Sequence, residues 1–526
     1  MDVIGVSVIA GRSVAGEGAP FHARAAATGD PVDPPFRTAT ADLVAEACAA
    51  AAAAFPTYRA RPLHDRADFL TAVAEEIEVL GEALTDRVQL ETGLPEARVL
   101  GERGRTAAQA RLFADVVRRG DFLGLRLDAA LPDRTPLPKP DLRLRRVPLG
   151  PVAVWGASNF PLAFSTAGGD TVSALAAGCP VIVKGHPAHP GTAELVAHAV
   201  TRAAERTGMP AGVFSLLQDG DVSAAKALAV DPRIAAIAFT GSRAGGLALA
   251  ALAAGRQVPI PVFAELSAVN PVILLPGAVA SDAARARLAE GYLTSLTFGA
   301  GQLCTNPGLL FVPVGETGDA LVAEIAERVR ATAGATMLHP GISSAYAVGV
   351  AQRAGVTGVV EVGVGSGSAL APAATVHECS LATFAAEPQL AEEVFGAAGL
   401  IVRYDDADGL VAALSGLEGQ LTATLHGSDS PADLASAAAV LPVVEERSGR
   451  VIWNGWPTGV EVTHAMVHGG PYPATTAPST TSVGTLAIER FLRPVAYQNL
   501  PQNLLPEELR DGNPWGVTRM VDGQLS

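Results

Sequence analysis

Apolar and polar positions along this chain follow three rhythms, and each predicts a different kind of structure. Between Asp42 and Phe55 the Ala-rich segment DLVAEACAAAAAAF has the composition of a strong helix, with Thr38 or Thr40 placed to cap it. From Pro62 to Ala83 the apolar residues Leu70, Val73, Ile77 and Leu80 recur three and four apart, the stripe of an amphipathic helix. Residues 90–118 continue the helical pattern as one or two further helices, whereas residues 1–36 read as short strands and turns. Residues 132–150 switch to period two. After a Pro-rich start, Leu and Arg alternate in LRLRRVPLG, which is a strand signal. Such a strand is a solvated hairpin, a sheet edge or an arm between domains.

After residue 151 strand-length apolar runs alternate with helical patterns. The runs are PVAVWGA, CPVIVK, VFSLL, IAAIAFT and VPIPVFAEL, and the helices between them fall at 166–178, 191–207, 221–230 and 246–255. Repeated units of this length predict an α/β fold with a doubly wound parallel sheet. Ligands of such sheets bind outside the carboxyl ends of the strands. A further helix is expected from about Asp282 to Thr297.

Composition narrows the class of protein. With 526 residues the chain is long enough for two or three domains, and 49% hydrophobic against 17% charged residues marks it as globular. A net charge of −15 argues against nucleic acid or an anionic membrane as the main partner and favours a small-molecule ligand. Cys48, Cys179, Cys304 and Cys379 lie far apart with no paired spacing, which suits a reducing cytoplasm better than a disulfide framework or a zinc site. The N-terminal MDVIGVSVIAG lacks the basic start of a signal peptide, and no apolar run is long enough to span a membrane.

Candidate chemistry sits at the strand ends and in one glycine-rich loop. In FGAGQLCTNP, Cys304 follows glycines 299 and 301, which allow close approach of backbone and ligand. A thiol presented this way is a nucleophile if a base and an oxyanion donor converge on it, although a lone cysteine among apolar residues is more often packing. The strand at 151–157 ends in Asn159, an amide donor suited to an oxyanion or an ordinary turn residue. CPVIVK ends in Lys184, a donor to ribose or phosphate or a plain surface lysine. IAAIAFT leads into Gly241-Ser242 with Gly246 beyond, a turn that lets helix N-terminal amides meet a pyrophosphate, without a GxGxxG fingerprint. Glu265 is the one carboxylate in an apolar strand, either a general base or one half of a salt bridge.

Taken together these residues resemble a known family. Asn159, Lys184, Phe239-Thr240-Gly241-Ser242, Glu265-Leu266, Cys304 and the EVFG element at Glu393–Gly396 recur in the order and spacing of the aldehyde dehydrogenase superfamily. VIVKGHPAHPGT, AELSAVNPV, FGAGQLCTNPG, GVEVTHAMVHGGPYPATT and IERFLRPVAYQNLP resemble its α-ketoglutarate semialdehyde (2,5-dioxovalerate) dehydrogenase branch. The resemblance implies NAD(P)-dependent oxidation of a small-molecule aldehyde, α-ketoglutarate semialdehyde to 2-oxoglutarate in that branch. Cys304 would be the nucleophile, Asn159 the oxyanion donor and Glu265 the base that activates water. Trp155, Gly156, Ala157, Lys184, Pro187, Gly241, Ser242, Gly246, Leu266, Glu393 and Phe395 would line the cofactor cleft. Phe160, Leu303 and Thr305 would border the substrate.

The resemblance also implies an organisation. Residues 1–131 and 151–281 would bind NAD(P), 282–485 would form an α/β catalytic domain, and 132–150 with 486–510 a small β oligomerisation arm, leaving 511–526 as a tail. A homodimer or homotetramer follows from the arm. Three departures stand out. Ser267 and Ala268 replace a glycine pair, Ala397 replaces a proline, and Pro187 stands where NAD-preferring members often carry a glutamate. Without that carboxylate NADP is admissible, and it is the expected cofactor, with NAD possible. His464 and His468, four apart in a loop-like stretch, are expected to be structural or pocket-lining, since the family needs no metal. Trp453 and Trp456 are candidates for the substrate entrance. A broad or fatty aldehyde dehydrogenase, a CoA-acylating relative and an inactive scaffold are the alternatives.

Overall fold

A computed structural model describes residues 2–526. The apolar runs after residue 151 form the expected parallel sheet. Its order is Val262–Glu265, Ala236–Thr240, Val152–Trp155, Val181–Lys184 and Phe214–Leu217, closed by the N-terminal strands Ser7–Ile9 and Arg12–Val14. Ser7–Ile9 runs antiparallel to its neighbour. All five βα strands are parallel, and their register aligns Trp155 with Lys184, Phe239 with Trp155, and Thr240 with Glu265. Trp155, Lys184, Thr240 and Glu265 therefore leave the sheet at one edge, where helix N-termini also point.

Helices cover both faces because their apolar stripes must be buried. Leu70, Val73 and Ile77 of the helix Leu63–Val79 are fully buried, each contributing about 1.5–3 kcal/mol of transfer free energy. Thr40 caps the helix Ala41–Arg59 by accepting from the Leu43 N–H. The long helix Glu96–Arg119 follows, and buried Glu102 on it accepts from the N–H groups of Leu162 and Ala163 at 2.9 Å each. That tie holds the turn after Asn159 in place.

A second sheet has the order 360–364, 375–380, 398–404, 309–313, 272–274, 420–426 and 448–453. Its strand Val272–Leu274 lies ahead of residue 282, so pairing in this sheet begins earlier in the chain than the 282 boundary read from sequence. The Leu/Arg strand Leu142–Pro148 is neither a solvated hairpin nor an edge. It sits inside a five-stranded sheet between Leu492–Gln498 and Arg126–Asp128, and that sheet ends in the short strands Met520–Val521 and Gln524–Leu525. Arg143 is accommodated there because Asp141 pairs with it and the Leu509 carbonyl accepts from it at 2.6 Å.

Candidate active site

The loop of Cys304 is built from a backbone that few residues tolerate. The helix Asp282–Thr297 stops, and Gly299, Ala300 and Gly301 then adopt φ values of 60°, 59° and 71°. At Gly301 an added Cβ would lie 2.3 Å from the Gly396 carbonyl carbon, so two chain segments cross there with no room for a side chain. Three side chains lock the loop. Asn270, itself at φ 48°, donates to the carbonyls of Cys304 at 2.9 Å and Asn306 at 3.0 Å. Asn306 donates to the carbonyls of Gly301 and Gly396. Buried Gln302 donates to the Gly299 carbonyl and accepts from the Leu338 N–H. None of the three was singled out from the sequence, although all lie within the AELSAVNPV and FGAGQLCTNPG motifs.

The expected chemical groups converge on this loop. Asn159 Nδ2 donates to the Gln302 carbonyl at 2.8 Å, two residues before the thiol. His468 joins them. Its Nε2 is 3.3 Å from Cys304 Sγ and 2.8 Å from Glu265 Oε1, while its Nδ1 is buried without a partner. Ser482 donates to the other Glu265 oxygen at 2.6 Å. The donor atoms of Glu265, Cys304 and His468 all lie within 4.8 Å of one another. One nitrogen facing both a thiol and a carboxylate lets a single proton serve either. His464, by contrast, faces Thr485 at 3.2 Å and takes no part.

This packing sets the charge states. Burial pushes the Cys304 thiol well above its ordinary range, and the Glu265 charge adds to the effect. For Glu265 burial alone would raise the pKa, but the charge and hydrogen bond of His468 and the Ser482 hydroxyl outweigh it and leave the carboxyl lowered. The site thus holds a neutral thiol beside an ionised carboxylate at neutral pH.

The cofactor candidates line the strand ends. Lys184 is 9% exposed, and burial lowers its ammonium pKa against the pull of Asp219. Pro187 follows in the turn before the helix Pro190–Arg206. Gly156 packs so closely that a Cβ would lie 2.5 Å from Ser165 Cα, and the Ala157 N–H donates to the Phe164 carbonyl. Ser242 caps the helix Arg243–Ala254 by accepting from the Gly245 N–H at 3.2 Å. The Gly241 N–H donates to the Glu265 carbonyl, and the Gly246 N–H is spent inside its own helix on the Ser242 carbonyl. Gly246 instead serves packing, since a Cβ there would meet Leu266 Cδ2 at 2.2 Å. Glu393 and Phe395 are half-buried, and burial lifts the Glu393 carboxyl to about 7 against the pull of Ser267 and the Ala268 backbone.

Several features of this edge fit a dinucleotide. The Trp155 indole N–H is buried without a partner, the first turn of the helix Arg243–Ala254 offers backbone N–H groups to an anion, and Glu393 is a half-buried carboxyl suited to a hydroxyl donor. Of the substrate candidates, Leu303 and Thr305 are buried and Phe160 is half-buried, its ring edge-on to Phe164 at 5.0 Å. Trp456 packs between Tyr292 and His426, whereas Trp453 is exposed.

A parallel nucleotide-type sheet brings a carboxylate to a cysteine in the loop ahead of the strand Leu309–Pro313 of a second sheet, an arrangement suited to an oxidoreductase acting through a thiol. Residues 17–472 match the aldehyde dehydrogenase family, and the chain belongs to that family. It is 51% identical over 531 aligned residues to alpha-ketoglutaric semialdehyde dehydrogenase 2 of Azospirillum brasilense, covering 100% of both chains. To alpha-ketoglutaric semialdehyde dehydrogenase of Acinetobacter baylyi it is 46% identical, covering 93% of both. Among solved structures, aldehyde dehydrogenase 21 from Physcomitrella patens in complex with succinate superposes with a TM-score of 0.81 at 21% identity, covering 96% of this chain and 100% of the other, a likeness of fold. The activity is NAD(P)-dependent oxidation of an aldehyde to a carboxylic acid. No helix among the described residues is long and apolar enough to cross a membrane.

Proposed function

We propose that this chain oxidises α-ketoglutarate semialdehyde to 2-oxoglutarate, with NADP preferred over NAD. The meeting of Cys304, His468 and Glu265 at the cofactor edge carries the mechanism, and full-length likeness to two semialdehyde dehydrogenases supports the substrate. Cys304 sulfur adds to the aldehyde carbon as its proton passes to His468 Nε2 and from there to solvent, which leaves Glu265 ionised for the second half. The new oxyanion is met by Asn159 Nδ2 and the Cys304 N–H. A nicotinamide held here by Glu393 would supply the hydride acceptor, and Cys304 then carries the acyl group as a thioester. Glu265, oriented by Ser482, then takes a proton from water as the water attacks the thioester, and the acid leaves.

Lys184 and the turn from Gly241 to Ser242 serve the adenosine ribose and pyrophosphate, and Glu393 the nicotinamide ribose. Pro187 places no carboxylate against a 2′-phosphate, which supports NADP. Residues 1–131 and 151–281 act as the cofactor half and 282–485 as the catalytic half, with the strand Val272–Leu274 of the first range pairing into the catalytic sheet. The strand Leu492–Gln498 ends its sheet with a free edge, which supports pairing between subunits as a homodimer or homotetramer. The decisive assay gives the purified protein α-ketoglutaric semialdehyde, succinic semialdehyde and long-chain neutral aldehydes, each with NAD and NADP, and follows reduced nicotinamide. The highest kcat/KM is expected for α-ketoglutaric semialdehyde with NADP. Preference for a long-chain neutral aldehyde would overturn the substrate.

Glu393 yields a pH prediction. Its raised pKa of about 7 keeps it protonated below neutrality, and it becomes a full acceptor for ribose hydroxyls as pH rises through that value. The KM for cofactor is expected to fall as pH is raised across neutrality, and Glu393→Gln to flatten that dependence. An unchanged profile in the variant would remove Glu393 from cofactor binding.

A further inference from the structure

The substrate proposed above carries a carboxylate at the end away from its aldehyde. A carboxylate moved from water into a pocket needs a cation with free donors. The helix Glu96–Arg119 presents Arg98, Glu102 and Arg105 on one face, spaced four and three apart, and that face covers the turn that holds Phe160 and Phe164. Arg98 is paired with a carboxylate of its own helix, and only its Nη2 is buried without a partner. Its Nη1 donates to Glu102 Oε2 at 2.6 Å, while Glu102 Oε1 holds the Leu162 and Ala163 N–H groups.

Arg105 also lies over Phe160 but differs in its pairing. Its guanidinium lies 5.2 Å from the Phe164 ring centroid and 5.8 Å from that of Phe160, and among the described residues it makes no hydrogen bond or ion pair. Its Nε and Nη2 are buried without a partner. These two nitrogens form one edge of the guanidinium, the fork that takes both oxygens of a carboxylate at once. The ionisable groups around it are Glu102, which is committed to Arg98, together with Arg98 itself, the neutral thiol of Cys304 and exposed Glu461. A short chain of contacts links Arg105 to the sulfur: Arg105 packs on Phe164, the Phe164 and His468 ring centroids are 6.3 Å apart, and His468 Nε2 is 3.3 Å from Cys304 Sγ. The other arginine near the thiol, Arg450, has both terminal nitrogens occupied by the Gly459 and Pro457 carbonyls and serves to hold that loop.

We propose that Arg105 anchors the far carboxylate of the substrate through its Nε and Nη2 edge, so that the enzyme selects aldehydes bearing an acid group opposite the carbonyl. The aromatic rings of Phe160 and Phe164 hold the unliganded cation in place by cation–π attraction, which an incoming carboxylate reinforces rather than competes with. This inference rests on the semialdehyde reading of the site. It makes Arg105 the specificity determinant that the sequence motifs do not mark.

The test compares α-ketoglutaric semialdehyde with pentanal, a five-carbon aldehyde without the carboxylate, in wild type, Arg105→Gln and Arg105→Lys. For Arg105→Gln the KM for the semialdehyde is expected to rise about tenfold to a hundredfold. The ratio of kcat/KM for semialdehyde over pentanal is expected to fall by a similar factor. Arg105→Lys recovers part of the ratio, since it keeps the charge and loses the fork. Competitive inhibition by glutarate, read as Ki against pentanal, is expected to weaken in Arg105→Gln in parallel. An equal loss on both aldehydes would reduce Arg105 to a packing role, and an unchanged semialdehyde KM would overturn the proposal. Wild type with no preference for the semialdehyde over pentanal would sink the substrate reading and the anchor together. A preference that survives in Arg105→Gln would sink the anchor alone.

Discussion

Cys304→Ala is expected to abolish aldehyde oxidation, lowering kcat by about 10⁴-fold or more, without unfolding the protein. The loop is held by backbone acceptors, not by the sulfur. Asn270, Asn306 and Gln302 all grip carbonyl or N–H groups around the thiol, and none touches Sγ. Removing one sulfur atom therefore deletes the nucleophile and leaves its scaffold. A thermal melt close to wild type together with loss of turnover is the expected pair of results, and full activity in Cys304→Ala would refute covalent catalysis here. The wild type carries a further signature. Because burial and Glu265 both raise the thiol pKa, the free enzyme holds a neutral thiol at neutral pH, and loss of its proton becomes easier as pH rises. The value of kcat/KM is expected to climb from neutral into alkaline pH.

Glu265→Gln is expected to separate the two halves of the reaction. The substitution keeps the shape of the side chain and its place between His468 and Ser482, but it removes the acceptor that deprotonates water. In wild type the carboxyl is ionised at neutral pH, because its partners more than offset burial. Loss of a general base of this kind costs about 10²–10⁴-fold in the step it serves. Mixing Glu265→Gln with substrate and excess cofactor is expected to give a burst of about one equivalent of reduced nicotinamide per site, then a slow steady rate as the thioester waits for water. Steady turnover at the wild-type rate would remove Glu265 from the mechanism. Absence of any burst would move its essential role to activation of the thiol.

Much of the architecture could be read without coordinates because its signals are local. Five apolar runs separated by helical patterns specify a parallel sheet through hydrophobic periodicity, and the observed strands fall within those runs. The arm was harder. Alternating Leu and Arg in residues 142–148 announced a strand, but its position inside a sheet depends on partners at 126–128 and 492–498, far away in the chain. Gly246 shows the same limit at a single residue. A glycine at a helix start suggests anion binding, yet here the requirement comes from Leu266 pressed against it.

The chain by itself determined which chemical groups are present: a cysteine in a glycine-rich loop, a carboxylate ending an apolar strand and an amide beyond the end of another. Their periodic surroundings also determined that strand ends would gather them at one edge. Only the tertiary structure decided that His468, 164 residues beyond Cys304, shares one nitrogen between thiol and carboxylate. Only it decided that Arg98 is paired while Arg105, two turns further along the same helix, keeps a free fork. The physical reason is that periodicity and capping act within a few residues, whereas hydrogen bonding and desolvation depend on what distant segments bring to the same few ångströms.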